Sequence, residues 1–362
     1  MSETIDIIDI YKPISFVSLT MIKKSNLPSL VDAVIEHRKI PTNLFDRVTI
    51  ILEAVNIESE LQKYYQKGKS IDGRESYSPV VLFKMLLLQF WYGLSDVSVE
   101  ENVRDRISFS RFCDISMDQE VPDSTVLCRF RNILSKQNAF EKLLTLINDK
   151  MAQGGLIVNK GIIIDASVTV TQRKPRGKKE YEVCEDRKEG ENETTQVLKT
   201  IPQKHVDKEA AWLKKSGKLL YGYKQHLASN QEGFVLAIHT APANESDIKN
   251  LGSVLNKLTI AHRTPVYADK GYASENNDNV IKEKKLKNRI LYKALKNNPL
   301  TELHKQINKK ISQTRYKVER TFGSMKRWFK ADHTRYLGLE KTHSQHNILA
   351  ICYNLYRQPI AH

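Results

Sequence analysis

Apolar and polar residues alternate with two different periods along this chain. Up to about residue 155 the apolar positions recur every three to four residues, in Leu44 to Tyr65, Ser78 to Tyr92 and Thr125 to Ile147. That is the period of helices with one buried face. Ser78 is placed to cap a helix whose first turn holds Pro79, where a missing N–H is no loss. "PDSTVLCRFRNIL" is a second start signal: Pro122 stops what precedes it, Asp123 or Ser124 caps, and Arg129 and Arg131 follow a turn later. Three short helices between Ser95 and Leu134 fit a helix-turn-helix that turns the last of them toward DNA. A plain packing or dimerisation bundle has the same pattern.

From Gly161 the period shortens. "GIIIDASVTVTQ" is a run of three isoleucines, then Asp165, then alternation. "YGYKQHLA" (221–228) and "FVLAIHTA" (234–241) read as a strand pair around residues 229–233. A helix follows, with Asn244 as cap and Ile248, Leu251, Leu255 and Leu258 on one face. "PVYA" at 265–268 is a short buried strand that ends on Asp269, with Lys270 and Gly271 turning the chain away. A strand over 289–295 and long helices over about 300–330 and 341–356 complete the series. The order β-β-β-α-β-(helix)-β-α-α predicts an α/β protein: a mixed sheet with flanking helices, preceded by an all-helical segment. We therefore expect a helical N-terminal domain over 1–155 and a second domain over 156–357. That second domain carries a charged insertion at about 171–218, where "RKPRGKK" (173–179) and the Glu-rich stretch to Thr195 have the composition of a mobile segment.

Charge changes the picture. The 362 residues carry a net +15, and between Val280 and Lys341 there are 18 Lys and Arg against 5 Asp and Glu, so +13 falls in that one stretch. Scattered mixed charge solvates a surface; a block of one sign seeks a polyanion, and nucleic acid is the expected partner. No apolar run approaches the roughly 20 residues of a membrane span. The acidic start, Met1 to Asp9, lacks the pattern of a secretory signal. The four cysteines are dispersed without a CxxC pair, which fits a reducing cytosol and neither a zinc module nor a disulfide framework.

Within the basic stretch lies one acid of interest. At about 100° per residue, Glu319 has Arg315 about 40° away and Lys326 about 20° away. Val318, Phe322, Met325 and Phe329 lie to one side, Arg320 and Arg327 to the other. Glu319 is thus on the seam between a core stripe and a basic stripe. It can pair with Arg315 at i−4, or it can join Asp165 and Asp269, which end two apolar runs. Three carboxylates without a His or Cys cluster suit Mg²⁺ or Mn²⁺. Two such ions activate the attacking oxygen and stabilise the leaving one in displacement at phosphorus.

"IIIDAS" with Asp165, "YADKGY" with Asp269 and "RYKVERTFGSMKRW" with Glu319 resemble the DDE transposases of bacterial insertion sequences, the IS4/IS5-like group. "DKEAAWLKKSGKLLYGYKQH", "TAPANESD" and "HNILAICYNLYR" match as well, and the likeness runs over about 70–357. The resemblance implies an RNase H-like catalytic core, with Asp165, Asp269 and Glu319 as ligands of two Mg²⁺ (or Mn²⁺) ions. Of the group's Tyr, Arg, Glu, Lys signature, Arg315, Glu319 and Lys326 match, while Ser312 stands at the Tyr slot. That helix face holds element-end DNA in related enzymes, so Arg315, Lys326, Arg320 and Arg327, with Lys270, Arg129 and Arg131, are the candidate contacts to DNA. Lys224 and His226 share one strand face and are read as structural or DNA-side. Trp212, Trp328 and Tyr272 read as core or as stacking platforms. The implied activity is cleavage at terminal inverted repeats and joining of the 3′-OH to target DNA. A homodimer or larger synaptic complex on double-stranded DNA is implied too, in the bacterial cytoplasm at the nucleoid. An RNase H-like endonuclease without strand transfer, or an inactive DNA-binding descendant, are the alternatives.

Overall fold

The structure is a computed structural model that describes residues 44–66, 76–158, 160–175, 180–186, 195–201, 205–294 and 299–357. The readings of Met1–Asp9 and of the 176–179 part of the basic run lie outside the described residues.

Among the described residues seven helices precede the sheet: α1 (Leu44–Ala54), α2 (Ile57–Tyr64), α3 (Pro79–Trp91), α4 (Asp96–Asp105), α5 (Ile107–Phe112), α6 (Ser124–Lys136) and α7 (Ala139–Gln153). Both expected starts are present. The Ser78 hydroxyl accepts from the Val80 N–H with Pro79 in the first turn. Asp123 accepts from the N–H groups of Thr125 and Val126, each at 2.8 Å. The two long periodic stretches are each broken once, at Asn56 (φ 49°) and Asn138 (φ 50°). Asparagine tolerates this left-handed conformation better than most residues, and periodicity does not register it.

The sheet is built around β1 (Ile162–Val170). On one side β1 runs antiparallel to β5 (Lys218–Asn230), from Ile162↔Asn230 to Val170↔Gly222, and β5 runs antiparallel to β6 (Val235–Pro242). On the other side β1 runs parallel to β7 (Pro265–Ala268), and β7 parallel to β8 (Lys287–Ile290). The order β6-β5-β1-β7-β8, three antiparallel strands followed by two parallel ones, is that of an RNase H-like fold. Helix α8 (Asp247–Leu255) connects β6 to β7, and α9 (Glu275–Glu283) connects β7 to β8. The last two helices are α10 (Glu302–Phe329) and α11 (Leu339–Tyr356). At Gly222 the two central strands come so close that a Cβ there would lie 2.1 Å from the Thr169 carbonyl oxygen. That contact excludes any side chain.

Three expectations are corrected. The charged insertion contains strands: β2 (Glu180–Asp186) and β3 (Thr195–Ile201) form a two-stranded antiparallel sheet apart from the main one. β4 (Ala211–Lys215) pairs with the start of β5 through a two-residue turn at Ser216 (φ 50°) and Gly217 (φ 77°). Alternating Val, Leu, Ile and Thr in "TQVLKTI" outweigh the charge that suggested mobility. Helix α8 starts after Ser246 rather than Asn244, and β8 begins two residues before the expected strand and stops at Ile290, short of its expected end.

One apolar cluster runs from the N-terminal helices through β1, β5 and β6 into α11. Buried polar groups stitch the layers together. The Trp91 indole donates to the Cys352 carbonyl at 3.0 Å, and His346 of α11 bonds the Thr169 and Thr240 hydroxyls at 2.9 and 2.8 Å. Thr169 is four residues beyond Asp165, so α11 covers the sheet face on which Asp165 lies. Among the described residues no single helix is long and apolar enough to cross a membrane. The most apolar, α3, is buried inside the protein.

Burial lowers the His346 pKa to about 3, with the charge of His343 adding to the effect. Burial likewise lowers that of His226 to about 4. Both imidazoles bind a proton in the unfolded chain below about pH 6.5 but not in the folded one. Folding stability is therefore whole above about pH 6.5 and falls as the pH drops toward 4, by at most about 1.4 kcal/mol per unit for each histidine. The urea midpoint is expected to fall steadily from pH 7 to pH 5. A flat profile would show that these imidazoles are not buried in the neutral form.

Candidate active site

Asp165 lies in β1 one residue beyond Ile164, which pairs in parallel register with Ala268 at the end of β7. Continuing that register by one residue sets Asp269 beside Asp165. The strand pairing therefore brings these two acids together; the run before Asp165 is fully buried, and in the run before Asp269 Val266 and Ala268 are buried and Pro265 and Tyr267 half-buried. The third acid arrives on α10, whose buried stripe is Ile311, Val318, Thr321, Phe322, Met325 and Phe329. That stripe seats the helix against the sheet and leaves Glu319 exposed on the seam.

Arg315 joins the groups. One guanidinium nitrogen donates to Asp165 Oδ2 at 3.0 Å and the other to Glu319 Oε1 at 3.4 Å. The Ala166 N–H donates to the other Asp165 oxygen at 2.9 Å. The Asp165 carboxyl is nevertheless held above the usual carboxylate range. Burial is the main cause, and the negative charges of Asp269 and Glu319 push the same way; Arg315 and the Ala166 N–H pull against it. The three acids thus share one electrostatic neighbourhood. Among the described residues, no three His, Cys, Asp or Glu side chains stand as a ready ligand group for a metal ion. Arg315 bonds one oxygen of Asp165 and one of Glu319.

The expected DNA contacts separate into two sets. Lys270, Arg320, Lys326, Arg327 and Arg129 have exposed side chains. Partial burial lowers the Lys326 pKa, with repulsion from Lys215 next. The Arg129 guanidinium rests on the Thr125 hydroxyl and carbonyl at the start of its helix. Arg131, by contrast, does not face outward. It is 5% exposed, grips Asp96 with two hydrogen bonds of 2.6 and 2.8 Å, and lies over the Tyr336 ring. Its side chain points inward because α6 turns that face toward α3 and α4. Arg315 is likewise paired with carboxylates rather than open to solvent. Tyr316, next to it, is exposed. Of the aromatics, Tyr272 is core, while Trp212 and Trp328 are partly exposed and packed against Tyr221 and Tyr353 respectively.

Four residues missed as a group lie behind Asp269: Lys224, His226, Asp247 and Tyr272. Lys224 bonds Asp247 at 2.8 Å and His226 bonds the Tyr272 hydroxyl at 2.9 Å. The two-residue spacing of Lys224 and His226 put them on one strand face, but nothing in the sequence revealed their partners.

The sheet has a strand order of the RNase H type, with Asp165 on β1, Asp269 directly after the end of the neighbouring β7 and Glu319 on α10. The chain belongs to the transposase DDE domain family, whose model matches residues 158–355. The N-terminal part, residues 33–133, matches a second model described as a transposase domain. The chain is similar to the transposase for insertion sequence element IS1106 from Neisseria meningitidis serogroup B, 38% identical over 229 residues, which are 63% of this chain and 75% of that protein. Among solved structures it aligns with a pre-cleavage Mos1 transpososome over 87% of this chain and 96% of that one. At 10% identity and a TM-score of 0.21, that global superposition is weak.

Replacing Arg315 with Gln leaves the Asp165 carboxylate with two like charges nearby and no counter-charge. In the absence of divalent ions the variant is expected to lose about 1–2 kcal/mol of stability. The measurement is the shift in denaturant midpoint. An unchanged midpoint would mean that the guanidinium does not hold Asp165 in solution.

Proposed function

We propose that this protein binds the terminal inverted repeats of its insertion sequence, cleaves the DNA at the element ends and joins the freed 3′-OH to target DNA. The observation that supports this reading is the β1–β7 register, which leads Asp165 and Asp269 to neighbouring positions, with Arg315 bonded to both Asp165 and Glu319, beside the exposed basic face of α10. The donor set consists of hard carboxylate oxygens with no imidazole or thiolate among them, which fits Mg²⁺ or Mn²⁺. The negative field around the half-buried Asp165 carboxyl is what a divalent cation would offset. Asp165, Asp269 and Glu319 would hold two such ions, which supply activation of the attacking oxygen and stabilisation of the leaving one when bound.

The chain's own residues do the rest. Arg315 transfers from the two carboxylates to a DNA phosphate, freeing both acids at the moment DNA is present. Lys326, Arg320, Arg327 and Lys270 neutralise phosphates on either side of the scissile bond, and Arg129 of the helical segment takes the flanking duplex. The division into a helical unit at 1–155, for end binding and dimerisation, and a catalytic unit at 156–357 follows from this assignment. Pairing two ends calls for a homodimer or larger synaptic complex, acting in the bacterial cytoplasm on nucleoid DNA.

The test uses DNA carrying the gene's own flanks, with Mg²⁺ and a separate target duplex. Wild-type protein is expected to cut at the repeat boundary and to yield joined product. Glu319→Gln should bind the DNA as well but cleave it at least about 100-fold more slowly. Equal cleavage by both would remove Glu319 from the site. Cleavage without joined product would favour an endonuclease, and binding without cleavage an inactive descendant. Arg320→Ala and Arg327→Ala should each reduce the slope of log affinity against log salt by about 1; an unchanged slope would place DNA elsewhere.

A further inference from the structure

The turn that carries Asp269 spans the end of the sheet. Asp269 shares a face with Asp165, toward α10. Three residues later Tyr272 is buried on the opposite face. Its hydroxyl meets Nδ1 of His226, and His226 pairs in the sheet with Ala166, the neighbour of Asp165 that points the other way. Tyr272 is 1% exposed and His226 is fully buried. The turn itself closes with the Tyr272 N–H donating to the Asp269 carbonyl at 2.9 Å.

Two further anchors bear on the same few residues. The buried Asn277 amide donates to the Tyr272 carbonyl at 2.7 Å and to the Ile248 carbonyl at 3.0 Å, tying the turn to the start of α8. Beside Ile248, Asp247 holds Lys224, whose ammonium also donates to the Glu245 carbonyl at 2.7 Å. Gly271 lies between two acids: a Cβ there would be 3.5 Å from Asp247 Oδ2 and 4.0 Å from Asp269 Oδ2. These contacts answer a specific need. Asp165 and Asp269 are like charges, and Asp269 is past the last residue of β7 that pairs with β1. Without an anchor, repulsion would swing the turn outward.

We propose that Tyr272 and its partner His226, with Asn277 and the Lys224–Asp247 pair, form a positioning set that fixes Asp269 against Asp165 for cation binding. This rests on the reading of Asp269 as a cation ligand given above. The five act through Asp269.

The experiment uses the full chain and four proteins: wild type, Tyr272→Phe, Asp269→Asn and the double variant Lys224→Met/Asp247→Asn. Tyr272→Phe removes one oxygen and keeps the ring, and the double variant removes both charges so that neither is left buried alone. Mn²⁺ affinity is read from the electron paramagnetic resonance signal of free Mn²⁺, and kcat and KM from cleavage of end DNA. Tyr272→Phe is expected to weaken Mn²⁺ binding about 10- to 100-fold, as loss of a residue supporting a ligand does. It should lower kcat while KM for DNA stays within about twofold, and the double variant should follow the same pattern. A Tyr272→Phe protein with wild-type Mn²⁺ affinity, beside a defective Asp269→Asn, would overturn this inference and leave the acidic centre standing. An Asp269→Asn protein that binds Mn²⁺ and cleaves normally would overturn both. Loss of DNA binding in step with Mn²⁺ binding would mark the set as structural only and also overturn it.

Discussion

The arrangement depends on the parallel pairing of β1 with β7. Three residue pairs, Ile162↔Val266 to Ile164↔Ala268, fix the relative height of two strands, and the next residue on each is an aspartate. A slip of one residue would turn one of them to the other face of the sheet. Register is secure because β1 is buried on both faces (Ile162, Ile163 and Ile164) and β7 on one (Val266 and Ala268), with Tyr267 half-buried on the other. The apolar run before each acid and the acid itself are therefore one device. The first holds the register; the second uses it.

Grouping carboxylates in this way works against stability, and the surrounding structure offsets it from two directions. On the solvent side Arg315 supplies a cation to Asp165 and Glu319. On the protein side the β1–β7 pairing and the hydrogen bonds to Tyr272 tie down the turn that carries Asp269. Helix α10 contributes to both. Its apolar stripe seats it on the sheet, and its basic stripe faces outward, so one element supplies an acid, that acid's counter-charge and a run of exposed cations. Most of the net charge of the chain falls in or near this helix for that reason.

Much of this was legible before the structure. The change of period near residue 160, the isoleucine run ending in Asp165, "PVYA" ending in Asp269 and the seam position of Glu319 are all local patterns, and local patterns survive folding. What was not legible is pairwise. Arg131 follows its helix start as Arg129 does, yet one is exposed and the other gripped by Asp96, because the face of α6 that packs on α3 and α4 is set by contacts far apart in sequence. Asn56 and Asn138 break helices through backbone conformation, which apolar spacing does not encode. The β2–β3 pair was hidden by its own charge. The support behind Asp269 draws on Lys224, His226, Asp247, Tyr272 and Asn277, each unremarkable until the fold brings them together.

Helix α11 is the last of the described elements to be made, and it closes the core of the first. Cys352 accepts the Trp91 indole N–H, and Asn354 bonds both Asn148 of α7 and the backbone of β6. Part of the interior of the N-terminal helices is thus supplied by the far end of the chain, and the packing of the two halves is joined through that last helix.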